Sequence, residues 1–191
     1  MLAVAFLVLS TAANAESITL AWDPSSGTDG YIVSYGTASG SYTLSVDVGN
    51  QSTYTVSGLS PTTRYFFVVA AYSALGTSAY SNEVSGFPGF TDPTLTSGVT
   101  IIKGVHIMEL RQRIDALRAG QGLPAQTWTN PTLNGTLIRA IHINELRAAL
   151  ADVYQRLGRP LPVYTDSLVP GATLVKAVHI MELRQAVMAV E

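Results

Sequence analysis

Cysteine is absent from the 191 residues, which excludes a disulfide framework and a thiolate metal site. Charged residues are scarce at 13%, while 47% of the chain is apolar, so the protein folds rather than remaining disordered throughout. Only three histidines are available for acid–base or metal chemistry. No apolar run approaches the roughly 20 residues that a membrane helix needs, so no membrane span is expected. A basic excess is missing too. Residues 16–87 hold five acids and one base, net −4, and residues 88–191 hold eight acids and ten bases, net +2. Neither half has the positive density that nucleic acid demands, so nucleic acid is not an expected partner.

The first fifteen residues, MLAVAFLVLSTAANA, carry an apolar run from Leu2 to Leu9 and small residues ending in Ala13-Asn14-Ala15. This pattern reads as a secretory signal peptide (residues 1–15) cleaved after Ala15, although the usual Lys or Arg at its start is missing.

From Ile18 to Phe87 the chain alternates short apolar runs with Gly, Ser, Asp and Pro, at intervals that suit an antiparallel sandwich. In RYFFVVAAY, Tyr65, Phe67, Val69 and Ala71 fall on one face, and Phe66, Val68, Ala70 and Tyr72 on the other. A strand apolar on both faces is expected to be covered on its outside. Ile32, Phe66, Val68 and Tyr72 are therefore candidate interface residues.

The same stretch resembles a fibronectin type III domain. Trp22 in LAW stands where the core tryptophan of the second strand is expected, and Tyr31, Val33 and Tyr35 match the third strand. Leu59-Ser-Pro-Thr-Thr-Arg-Tyr65 resembles the corner motif before the sixth strand, and the ending SNEVS fits the bacterial branch. The resemblance implies a seven-stranded spacer or binding module over residues 16–87. Cleavage after Ala15 would leave almost nothing for the first strand, so an open sheet edge is expected beside residues 18–22.

Residues 88–191 are organised differently. Phe90-Thr91-Asp92, Trp128-Thr129-Asn130 and Tyr164-Thr165-Asp166 open three segments (about 90–127, 128–163 and 164–191), and HIMELR, HINELR and HIMELR recur at His106, His142 and His179. The spacing predicts an all-α array of three helical repeats. Gly98, Gly135 and Gly171 end a short turn begun at the Asp or Asn, Thr100, Thr136 and Thr173 cap the long helix, and Gly122 or Gly158 stops it.

On a helical wheel with Ile102 at zero, His106 falls at about 40° and Leu110 at about 80°, so the histidine lies inside the apolar stripe; Arg111 falls at about 180°, on the far margin. Catalysis would need a nucleophile beside the histidine, and none recurs there. A His and a Glu three residues apart supply only two metal ligands where three or four are required. The histidine is therefore expected to be a packed residue bonded to Glu109 and to a neighbouring segment's Thr or Asp. No catalytic residue, metal or cofactor is expected. Lys103, Arg139 and Lys176 sit in the first turn, where the helix dipole disfavours a cation, and are candidate contacts to an acid or an anionic ligand. Phe90, Trp128 and Tyr164 are candidate sugar-stacking aromatics, although aromatics at fixed positions in a repeat more often form the core between repeats.

The three segments resemble units of secreted bacterial proteins that carry no assigned activity, and are more faintly similar to surface-layer homology repeats, which implies binding to wall polymer. The fold class expected is a multidomain β + α chain, a fibronectin type III-like sandwich followed by three helical repeats. The function expected is a non-enzymatic, secreted or cell-surface bacterial adhesive or structural protein. Its expected partners are other protein subunits, copies of itself included; a cell-wall polymer or glycan anchor is the alternative. Val175, Val178, Leu183 and Val187, on an uncapped last helix, are candidate interface residues for rings or filaments formed by docking of that helix, by strand addition beside residues 18–22, or by both; the alternative is that the last helix folds back onto the open edge of its own chain.

Overall fold

The computed structural model describes residues 5–8 and 16–191, and it divides the chain into two compact units, Met1–Phe90 and Thr91–Glu191. The first unit is a two-sheet antiparallel sandwich. One sheet has the order β1 (Ala5–Val8), β2 (Ile18–Trp22), β5 (Thr53–Val56). The other runs β4 (Leu44–Gly49), β3 (Gly30–Gly36), β6 (Tyr65–Ser73), β7 (Gly76–Thr77), with β8 (Val84–Gly86) also paired to β6.

Alternation decides which side chains face inward. Ile18, Leu20 and Trp22 from β2 meet Tyr31 and Val33 from β3 and Phe67 and Val69 from β6 in one core, closed by Val48, Val56 and Leu59. The Trp22 and Tyr31 rings lie 5.6 Å apart. The Tyr65 hydroxyl accepts the Ser60 amide at 3.1 Å, which fixes the corner ahead of β6 as the motif implied.

One expectation fails in this unit. The edge beside residues 18–22 is not open: β1 pairs antiparallel with β2, Ala5 opposite Trp22 and Val8 opposite Thr19. An apolar run of this length serves a strand as well as a signal segment, and β2 offers it a full row of backbone partners. The cleavage site Ala13-Asn14-Ala15 lies outside the described residues. On the outer face of β3 and β6 the four candidate interface residues are buried or half-buried, as a covered face requires. Val68 and Ala70 are each only 2% exposed, and Ile32, Phe66 and Tyr72 are half-buried. The Tyr72 hydroxyl is bonded to the Asp47 carboxylate, and the Arg64 guanidinium lies 5.7 Å from the Phe66 ring centroid.

The second unit contains α1 (Gly104–Gly120), α2 (Ala140–Arg156) and α3 (Ala177–Met188). Their inward stripe of Ile107, Leu110, Ile114, Ile143, Leu146, Leu150, Ile180, Leu183 and Val187 is fully buried. Gly122 and Gly158, both at positive φ, close α1 and α2 as expected. The Leu123 amide reaches the Arg118 carbonyl, and the Arg159 amide that of Tyr154, which is the double-bonded glycine stop. Leu183 and Val187 lie inside the chain's own core, so they are not the free interface proposed for an uncapped last helix; Val175 and Val178 are half-buried.

Residues 5–8 supply the strand that pairs β2. A chain beginning at Glu16 should therefore lose melting temperature and gain a concentration-dependent tendency to associate by strand addition. Thermal unfolding with light scattering checks this; an unchanged melting curve would show that β1 contributes nothing.

Candidate functional site

Each helix begins where the sequence advises against it. The N-cap residues are Lys103, Arg139 and Lys176, in extended backbone and without a side-chain cap bond. The histidine three residues on replaces the usual cap. His106 Nδ1 accepts the Lys103 amide at 3.2 Å, His142 Nδ1 that of Arg139 at 3.1 Å, and His179 Nδ1 that of Lys176 at 3.1 Å. This is the returning half of a capping box, with imidazole in the place of Glu or Gln. Thr100 and Thr173, expected as caps, instead accept the amides of Thr96 and Val169 and close the preceding turn.

With Nδ1 accepting, each imidazole carries its proton on Nε2. His106 Nε2 meets Asp92 Oδ2 at 3.1 Å, His142 Nε2 meets Asn130 Oδ1 at 3.2 Å, and His179 Nε2 meets Asp166 Oδ2 at 3.1 Å. The expected bond from histidine to Glu109 does not form. Asp92 and Asn130 are not N-caps of a short turn; both take left-handed backbone, φ 48° and 51°, and turn their side chains to the histidine. Lys103 and Lys176 bond the same aspartates at 2.8 Å, which explains two of the three misplaced cations. These lysine bonds, then the histidines, hold both aspartates below the usual carboxylate range. Arg139 is exposed, faces an Asn-containing segment and has no ion pair among the described residues.

Glutamate and arginine of each motif do separate work. Glu109 is fully buried and its Oε1 accepts the Thr91 amide at 2.9 Å. Glu145 accepts the Thr129 amide, and Glu182 both the Thr165 amide at 2.9 Å and its hydroxyl. Each glutamate therefore ties its helix to its own entry loop. Each arginine leaves its own segment. Arg111 donates to the Thr129 and Asn130 carbonyls at 2.7 and 2.8 Å, and Arg147 to the Asp166 carbonyl at 2.8 Å. Arg184, from the last helix, donates to the Thr91 and Asp92 carbonyls of the first segment at 2.7 and 2.8 Å. The guanidinium groups also face the acid of the segment they reach: Arg111 to Glu145 at 3.6 Å, Arg147 to Glu182 at 3.4 Å, Arg184 to Glu109 at 3.4 Å. First holds second, second holds third, and third holds first.

The aromatic residues belong to the same joints. Arg111 lies 5.1 Å from the Trp128 ring centroid and Arg147 4.1 Å from that of Tyr164, while Trp128 Nε1 donates to Asp115 Oδ2 at 3.0 Å. Trp128 and Tyr164 thus each have a ring face taken by an arginine, and Phe90 is buried; none is an open sugar platform. Both nitrogens of each histidine are committed, and among the described residues no three or more His, Asp or Glu side chains gather as a metal set would. The wheel separated Arg111 from His106 correctly but did not reveal its target. The recurrence of arginine at the stripe's margin was the available signal.

Comparison with known proteins bears on the first unit. Residues 3–87 match the family model described as the fibronectin type III domain. The first unit is a fibronectin type III-like sandwich. Its start lies before residue 16, because β1 belongs to it. A Kelch domain-containing protein of Saccharolobus solfataricus is 37% identical over 81 residues, 42% of this chain but 11% of that protein's length. Among solved structures, the fibronectin type III domain of human collagen alpha-1(XX) chain is 28% identical, covering 44% of this chain and 80% of that one with a TM-score of 0.39. An Fn3-like protein from Clostridium thermocellum is 26% identical, covering 42% and 83% with a TM-score of 0.36.

Replacing Arg184 by Met should remove both carbonyl bonds and leave Glu109 buried without its cation. The cost expected is about 3–5 kcal/mol, read from urea unfolding. A loss below about 1 kcal/mol would mean that the third-to-first joint is not under load.

Acid should also weaken the unit. Burial holds His106 and His142 below the ordinary imidazole value of 6.5, outweighing Asp92 and Glu109 beside His106, while Arg184 and Arg111 push the same way as burial. The unfolded chain then binds more protons than the folded one below that pH, so stability falls as pH drops through about 6.5. The aspartates, with lowered values, keep their contribution until pH approaches their unfolded range near 4. Changing His106 and His142 to Gln, which can still accept the cap amide but does not titrate, should flatten the urea midpoint between pH 7 and 5. An equally steep decline would place the titration elsewhere.

Proposed function

We propose that this chain is a non-enzymatic structural or adhesive interaction protein that acts outside the bacterial cell. The observation that carries the reading is the full employment of the recurring motif. Histidine, glutamate and arginine, the groups that could bear chemistry, are each spent on a cap, an entry loop or the next segment. What remains for function is surface. The sandwich supports the same reading, since domains of its type commonly mediate protein–protein contact and are often extracellular, and among the described residues no helix is long and apolar enough to cross a membrane. Self-association belongs to the proposal, although its filament form loses both joints first assigned to it, because β1 fills the edge and Arg184 closes the last helix onto the first segment. The wall-polymer alternative gains no open aromatic platform.

Displayed on an otherwise non-aggregating bacterium, the protein should make cells clump, and the purified chain should not co-sediment with isolated wall material. Failure to clump together with strong wall co-sedimentation would reverse the order of the two readings. Fusion of residues 1–15 to a reporter that is active only outside the cytoplasm should yield activity if the chain is exported; an inactive reporter would remove that part of the proposal.

A further inference from the structure

A second pattern recurs at the helix entries: Thr100-Ile101-Ile102-Lys103, Thr136-Leu137-Ile138-Arg139 and Thr173-Leu174-Val175-Lys176. Its second residue is a large aliphatic every time, and every time it stands in solvent. Ile101 is 77% exposed, Leu137 72% and Leu174 82%, with Val99 beside them at 77%. Scattered single aliphatics on a surface need no explanation, but these come from three separate segments to wall one open cavity of about 480 Å³. Internal packing does not require them, since they bury little of themselves in it. The fold repeats an apolar choice where a polar residue would serve the helix equally well.

The charge around this cup narrows what can sit on it. Lys176, the one charged residue that lines the cup, carries its own aspartate, Asp166, at 2.8 Å, so the lining holds no unbalanced charge. A nearly neutral rim gives no strong pull on a highly charged partner and little repulsion between like surfaces. Area points the same way. Four aliphatics so exposed present on the order of 500 Å², the upper part of what monomers leave bare. Two such faces together bury about 1,000 Å², the threshold for a specific interface.

We propose that the apolar cup formed by Val99, Ile101, Leu137 and Leu174 is the surface through which two copies of this chain join face to face. The proposal rests on the self-association just put forward and supplies its joint. Because the same patch serves both copies, the contact closes at two rather than propagating. Added salt should leave the dimer intact or tighten it, as the contact has no charge pair to screen and salt favours apolar burial.

Sedimentation velocity of the full chain across a range of concentrations, at low and high salt, tests this. The intact protein should pass from monomer to dimer as concentration rises. Leu137→Asp with Leu174→Asp should raise the dissociation constant at least about tenfold. Val99→Lys with Ile101→Lys, on a different segment, should do the same, and Leu44→Asp on the sandwich should leave the dimer unchanged. Circular dichroism establishes that each variant is folded, as substitution of exposed side chains predicts. A monomer at every concentration overturns the cup and self-association together. Dimers that survive in both folded double variants overturn the cup alone and leave self-association standing. Growth beyond two copies overturns face-to-face closure.

Discussion

The organisation of the second unit depends on an arginine that serves a neighbour. Arg111, Arg147 and Arg184 each leave the helix that carries them and bond the backbone of another segment's entry loop, with that segment's glutamate at the guanidinium. A guanidinium holds several donors in a fixed fork and cannot lose its charge, which suits it to two adjacent carbonyls and a carboxylate at once. The glutamate is neutralised by the incoming arginine and simultaneously receives its own loop's threonine amide. Each joint therefore couples a helix to its loop and the loop to another helix. Three such joints form a circuit with no free end, so Leu183 and Val187 are interior.

The histidine solves a different problem. A cation at the N-cap leaves the helix without its customary side-chain acceptor, and imidazole at the third position supplies one. The arrangement works only for the neutral ring, because a protonated Nδ1 cannot accept. Burial favours that state at His106 and His142, and the partner across the ring, Asp92 or Asn130, accepts the Nε2 hydrogen bond. Asn130 performs this role as well as aspartate does, which shows that a hydrogen-bond acceptor matters there more than a charge.

Much of the first unit was legible because its physics is local. GYIVSYG spans Gly30–Gly36 as β3 and ITLAW spans Ile18–Trp22 as β2; alternation along RYFFVVAAY set Phe67 and Val69 on one face, the core face, while the core places of Trp22, Tyr31 and Val33 are those the resemblance to a fibronectin type III domain implied. The glycine stops at Gly122 and Gly158 were equally readable, since only positive φ is at issue. Strand β1 was not, because AFLV carries no alternation and an apolar run has the same composition in a strand as in a signal segment. The threonine caps failed for a related reason: capping preference ranks side chains one at a time, whereas here a histidine three residues downstream takes the task. Circular closure was hidden altogether. Spacing along the chain gives the order of the segments but not the path in space that brings Arg184 to Thr91, 93 positions away.

A circuit and an open array differ in how they come apart. In an open array the terminal segment has one neighbour and frays first, whereas in a circuit every segment has two. Native-state hydrogen exchange of the intact chain measures this directly, through the opening free energies of the buried amides in α1, α2 and α3. Closure through Arg184 predicts that the most protected amides of α3 exchange with the same free energy as those of α1 and α2, in one cooperative opening. Amides of α3 that open at markedly lower free energy, while α1 and α2 remain protected, would contradict it.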